Sequence, residues 1–265
     1  MALKEETREA FAEALYQALR TRKPIDPLTE QEPEMSIDDA YDVSMRFLRL
    51  REQRDGERVI GRKIGITARA VQEMLNVDQP DFGFLTDAMV VEEGQPVPAS
   101  TQMIAPRAEG EIAFVLGEDL AGPGVTAADV LAATDFVLPC FEIVDSRIRD
   151  WKIRIQDTIA DNASCGFFML GHEAADPAAL NLGTIGMTLW KNGEVAATGT
   201  GAAALGSSPL STVAWLANTF GARGDSLRAG DVILSGSLVP LLPVQPGDCV
   251  RIVVDGLGAL SARFA

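Results

Sequence analysis

Two glutamates, Glu109 and Glu111, stand one glycine apart at the head of the run PRAEGEIAFVLG, residues 106–117. In a β-strand residues two apart share a face, so both carboxylates project together. That face continues through Ala113 and Val115, while the other carries Ala108, Ile112, Phe114 and Leu116, which makes this a strand entering a core covered on both sides. Like charges so placed repel and lose solvation unless a positive group sits between them. A divalent cation is the economical candidate, because hard cations take oxygen ligands and Mg²⁺ keeps open positions for substrate. A solvated, charged strand end is the plainer alternative.

Further residues could join this chemistry. Glu142 lies in the apolar run LPCFEIVDSR and is either a third oxygen ligand or the partner of a nearby arginine such as Arg147. Lys63, between glycines in GRKIGI, is either a buried lysine that positions an anion or moves a proton, or an edge-strand lysine that discourages aggregation. Asp78 and Asp81 in DQPDFGFL read first as turn residues. Asp161, Asn162 and Ser164 in ADNASCG suit a tight turn or a pocket wall equally. His172, the single histidine, sits beside an acidic, alanine-rich loop and reads as a surface residue, so histidine triads and histidine-rich metal sites lack material.

The elements that must position these groups follow from periodicity. Phe11, Leu15, Tyr16 and Leu19 recur at helical spacing, and Ser36 with Asp39 opens a second helix carrying Ala40, Tyr41, Phe47 and Leu48. Prolines in RKPIDPLTEQEPEM separate the two. From Val59 the texture becomes β-like: VIGRKIGI, EIAFVL, FVLPCFEIV, MTLWKNGEVAATG, DVILSG and CVRIVVDGLGALSARF. Asn192-Gly193 and Asp255-Gly256 are hairpin signals. Helices are expected over about 68–76, 127–134 and 209–220. With no alternating βαβ series and no phosphate loop, the expectation is an α+β protein. A helical N-terminal region, 1–58, precedes a β-rich catalytic domain, 59–265, with a mixed, mainly antiparallel core.

Composition narrows the class. The chain has 265 residues, 47% hydrophobic and 23% charged, enough for a sizeable core. No run reaches the roughly 18 apolar residues of a membrane span, and MALKEETREAFAEAL carries acids where a secretion signal has an apolar core, so a cytoplasmic location is expected. Cys140, Cys165 and Cys249 are far apart in apolar or small-residue contexts and read as buried thiols. A net charge of −15 without a basic cluster argues against nucleic acid and anionic membranes. An anionic small substrate then needs local positive charge, which a metal and a lysine would supply.

The segments GRKIGIT, VDQPDFGFL, PRAEGEIAFVL, FEIVDSRIRDWKIRIQDTIADNASCG and GDVILSG, in this order over nearly the whole chain, resemble the 2-keto-4-pentenoate (2-hydroxypenta-2,4-dienoate) hydratase family of the fumarylacetoacetase-like superfamily. Glu-x-Glu with a downstream Glu is shared across much of the superfamily, whereas SRIRDW followed by DTIADNASCG is similar to the hydratase branch. One departure is LGSSPLSTVAWLAN, with two residues where the family more often has one between glycine and proline; it concerns a local loop.

The resemblance implies a β-roll core and a Mg²⁺ or Mn²⁺ ion on Glu109, Glu111 and Glu142. It implies Lys63 and Asp81 as catalytic groups and Ser164, Asn162 and Ser235 as substrate-binding ones. The implied activity is a hydro-lyase of aromatic-compound degradation that adds water to a short 2-hydroxydienoic acid. The related 4-oxalocrotonate decarboxylases, which share the metal triad, give the second reading. A hydrolase is disfavoured for want of a histidine-acid pair, and a non-catalytic partner subunit need not have kept the site residues. A homo-oligomer, associating with a related decarboxylase or a downstream aldolase, is also expected from the resemblance.

Overall fold

The structure is a computed structural model that describes residues 3–75 and 77–265. Helices α1 (Glu5–Thr21), α2 (Leu28–Gln31) and α3 (Ile37–Asp55) come first. Ser36 and Asp39 form the reciprocal cap of α3, each side chain accepting from the other's backbone N–H. The buried faces of α1 and α3 join one apolar core with residues of the sheets, among them Phe82 and Phe114. There follow β1 (Val59–Gly65), α4 (Arg69–Leu75), β2 (Asp81–Thr86), α5 (Ala99–Gln102), β3 (Arg107–Leu116), α6 (Ala127–Ala133), β4 (Thr134–Val144), α7 (Ile155–Ala160) and β5 (Cys165–Leu170). The chain ends with β6 (Gly186–Lys191), β7 (Glu194–Thr200), α8 (Pro209–Gly221), β8 (Val232–Leu234), β9 (Leu242–Pro243), β10 (Cys249–Val254) and β11 (Gly258–Arg263).

One sheet runs β2-β1-β8-β3-β4-β5 with β9 alongside β3; the other runs β11-β10-β6-β7. Among the named strands of the described residues only β1 and β8 pair in parallel, so the α+β, mainly antiparallel expectation holds. Asn192-Gly193 turns β6 into β7 with positive φ at both residues, as a two-residue hairpin requires. Ser208, the second residue of the departing loop, caps α8 by accepting from Leu210 N–H at 3.3 Å.

Two local expectations are corrected, and one strand is added. DFGFLT is not a turn but the strand β2, and Asp81 opens it. CGFFML forms β5, a strand that glycine and a short span conceal in the sequence. Cys249 is exposed at the start of β10, whereas Cys140 and Cys165 are buried.

The second sheet explains the glycine between the glutamates. A Cβ on Gly110 would lie 2.6 Å from Met187 Sδ and 3.0 Å from Ile252 Cγ2, on β6 and β10. Only glycine lets the back of β3 seat against that sheet while Glu109 and Glu111 project from its front.

Candidate active site

The front face of the large sheet carries an apolar floor and a polar end. Leu85, Ala113, Leu138, Cys140, Phe168 and Leu234 pack together as the floor. Two residues further along their strands, on the same face, come Glu111 beyond Ala113 and Glu142 beyond Cys140. The β3–β4 register sets Glu109 directly opposite Glu142 and Glu111 opposite Cys140. Oxygens of Glu109, Glu111 and Glu142 all lie within 4.8 Å of one another. Glu111 and Glu142 are buried, and Glu109 is half-buried.

Glu111 Oε2 accepts from Gly236 N–H at 2.8 Å, while its Oε1 has no hydrogen-bond partner. Burial, then the neighbouring carboxylates, push Glu109 up to about 7 and Glu111 well above the usual carboxylate range. Glu142 is raised by burial against the opposing pull of Lys63. Three crowded carboxylates, with buried oxygens of Glu111 and Glu142 lacking hydrogen-bond partners, suit a hard cation and nothing apolar.

Lys63 is not on an edge: β1 lies between β2 and β8. Its Nζ stands 3.1 Å from Glu142 Oε1 and donates to the Ala163 carbonyl at 3.0 Å. Burial lowers its pKa, but Glu142, Asp81 and Glu109 outweigh that and raise it, so the ammonium stays charged. Asp81 pairs with Gly65 across β1–β2 and is buried, its Oδ1 without a partner. A Cβ on Gly65 would meet Asp81 Oδ1 at 2.3 Å and Lys63 Nζ at 3.1 Å, so this glycine opens the space in which the two side chains meet. Burial raises the Asp81 pKa and Lys63 opposes it, leaving a net upward shift.

These groups face a cavity of about 480 Å³ lined by Lys63, Asp81, Glu109, Ala163 and Ser164, with Arg107, Thr158 and the apolar Ile66, Val71, Val144, Ile153 and Leu241. Ser164 Oγ lies 3.2 Å from Thr158 Oγ1 at its wall. Asn162 does different work: its Oδ1 accepts from Phe84 N–H at 2.7 Å and its Nδ2 donates to the Phe84 carbonyl at 2.9 Å. It clamps the turn to β2 like an added strand residue, and it does not itself line the cavity. Asn162, Ala163 and Ser164 all take left-handed backbone, strain that aims the Ala163 carbonyl at Lys63. Ser235 is buried next to the Gly236 amide that holds Glu111, its carbonyl accepting from Thr212 Oγ1 at 2.8 Å, and it does not line the cavity.

Arg147 is not the partner of Glu142. Its guanidinium pairs with Asp161 and donates to the carbonyls of Asp145, Asp161 and Cys165. This buried knot fixes the turn from which Ser164 emerges. Asp78 is exposed, and the exposed His172 stands 3.5 Å from Glu93, away from the carboxylates. Sequence reading missed Arg107 and Trp151, and the paired basic and aromatic residues of APR and RDW were the available signal.

With this geometry in hand, comparison places the chain. Residues 52–265 match the fumarylacetoacetate (FAA) hydrolase C-terminal family, and the chain belongs to that family. It is 57% identical to the 2-hydroxyhexa-2,4-dienoate hydratase of Comamonas testosteroni, over 97% of each chain. It is 60% identical to a 2-hydroxypent-2,4-dienoate hydratase of Pseudomonas putida, over 81% of this chain and 96% of that one. Among solved structures, the 4-oxalocrotonate decarboxylase from Pseudomonas putida G7, complexed with magnesium and adipate, superposes with a TM-score of 0.94 at 40% identity, over 99% of both chains. Among the described residues no helix is long and apolar enough to cross a membrane.

Proposed function

We propose that the chain is a metal-dependent hydro-lyase that adds water to 2-hydroxypenta-2,4-dienoate or a close homologue, giving 4-hydroxy-2-oxopentanoate from the parent acid. The observation that carries this reading is the cluster of Glu109, Glu111 and Glu142, with Lys63 beside Glu142, at a cavity that Glu109, Lys63 and Asp81 line. The relatives' names supply the substrate class.

Glu109, Glu111 and Glu142 would hold Mg²⁺ or Mn²⁺. Once bound, the ion would supply Lewis acidity, stabilising negative charge that develops on the substrate's 2-oxygen. Lys63, a fixed ammonium, orients the anion and keeps Glu142 in place. Asp81, buried and raised in pKa, delivers a proton to carbon 5 and takes back the one that the 2-hydroxyl releases, as the dienol becomes a conjugated 2-oxo acid. Water then adds its hydroxyl at carbon 4 and a proton at carbon 3, which balances the hydration. Ser164 and Thr158 offer hydroxyls that can orient that water.

A second reading is a 4-oxalocrotonate-type decarboxylase, favoured by the close superposition on that enzyme. Ultraviolet monitoring of dienoate loss with and without Mg²⁺ or Mn²⁺, together with product identification, separates the two. Hydroxy-oxo acid formation supports the hydratase, and carbon dioxide release from an oxalocrotonate without dienoate hydration overturns it.

We further propose a cytoplasmic homo-oligomer that associates with a related decarboxylase or a downstream aldolase. The support is the family resemblance rather than the surface: the exposed large apolar side chains among the described residues are Val71, Val90 and Val195, on separate elements. A monomeric mass by light scattering at micromolar concentration would refute the oligomer.

A further inference from the structure

The charges of the site do not balance for an anionic substrate. With Asp81 protonated, Glu109, Glu111 and Glu142 face a single ammonium, Lys63, and leave two formal negative charges, which a divalent ion cancels. A substrate carboxylate entering this crowd of acids then brings a charge with no counter-charge of its own unless another cation meets it.

Arg107 is the other cation lining the cavity. It opens β3 two residues before Glu109, so it follows the glutamates on the same face, about 7 Å further along the strand. Its guanidinium lies 4.3 Å from the centre of the Trp151 ring. That indole is itself fixed, since Nε1 donates to the Ala105 carbonyl at 3.0 Å. Asp150 and Trp151 both take left-handed backbone, φ 59° and 55°, a costly conformation for two consecutive side-chain-bearing residues. The strain brings the indole over Arg107.

Among the described residues no carboxylate forms an ion pair with this arginine. Asp150 also lines the cavity, but its carboxylate is exposed and lies 4.0 Å from Lys152. An arginine stacked on an aromatic face keeps its planar fork free for bidentate recognition of a carboxylate.

We infer that Arg107, held flat against Trp151, is the binding residue for the substrate's own carboxylate, completing the positive charge that the metal ligands and Lys63 leave short. The inference rests on the proposed function for the identity of the substrate, and not for the class of anion.

The test is calorimetry of the Mg²⁺-loaded protein with 2-oxopentanoate, which has one carboxylate and no diene, and with 2-oxoadipate, which has two. R107M is expected to weaken 2-oxopentanoate about tenfold or more while its Mg²⁺ affinity stays within about threefold of the parent. R107K should recover part of the loss, and W151L, which frees the guanidinium, should weaken binding about threefold with all charges kept. In turnover, KM should rise in R107M while kcat changes little. Unchanged 2-oxopentanoate affinity in R107M and W151L would overturn the inference. So would a loss confined to 2-oxoadipate, which would assign Arg107 to a distal carboxylate. A protein that binds 2-oxopentanoate through Arg107 yet hydrates no dienoate would overturn the proposed function and leave this inference standing.

Discussion

Glu109 and Glu142 face each other directly across the β3–β4 ladder. Like charges in that relationship destabilise a sheet, and here Glu111 lies within the same oxygen cluster. The arrangement is one that an ion between the carboxylates would relieve, and its consequences can be measured.

Glu109→Gln and Glu111→Gln keep size and remove a charge. Each is expected to weaken Mg²⁺ or Mn²⁺ binding by about tenfold or more and to lower the rate with it, with excess metal restoring part of the activity. Metal titration by calorimetry beside steady-state kinetics reads both. Metal affinity equal to the parent's in both variants would reduce the pair to a charged strand end.

Lys63→Met leaves all three carboxylates in place. Metal binding should persist while kcat/KM falls about 10²-fold, equivalent to roughly 2.7 kcal/mol of transition-state stabilisation. Normal turnover in this variant would remove Lys63 from the mechanism.

Stability should depend on pH in a direction fixed by the raised carboxylates. Glu109 has an ordinary value of 4.5 and titrates at about 7 in the folded, metal-free chain, mainly because of burial. Between those values the folded state holds a proton that the unfolded state has released, so unfolding free energy falls as pH rises through the window. Glu111, Glu142 and Asp81 shift the same way. Chelator-treated protein should therefore lose Tm from about pH 5 to about pH 8, and saturating Mg²⁺ should return more stability at the higher pH. A metal-induced Tm gain no larger at the higher pH would contradict the assignment.

Arg147→Met should destabilise without touching the metal ligands. It strands the buried Asp161 carboxylate and three carbonyls, and breaking such a pair costs about 3–5 kcal/mol. Urea unfolding measures this, and a loss below about 1 kcal/mol would show the pair to be solvated.

Legibility in the sequence followed the range of the interactions. The shared face of Glu109 and Glu111 was readable because a strand's period of two is local. That Glu142 lies opposite Glu109 was not, since register across 33 residues depends on the whole sheet. Asp81 passed for a turn residue because β2 is short and interrupted by Gly83. Arg147 could be offered to Glu142 because nearness in sequence says nothing of the fold-back that delivers Asp161 instead. Asn162 was expected at the substrate by resemblance, yet its amide is engaged by a backbone 78 residues away. The Arg107–Trp151 stack depends on two left-handed residues that no propensity favours.

Gly110 links the cluster to residues that never approach it. Because its α-carbon rests on Met187 and Ile252, the four-stranded sheet acts as a backing plate that sets how far β3 stands forward and hence the gap between its carboxylates and Glu142. At the proposed metal site, ion size selectivity would thus be adjustable from behind. A bulkier side chain at Met187 would crowd a gap suited to a small cation, and a trimmed one would relax it towards larger ions, with every ligand unchanged.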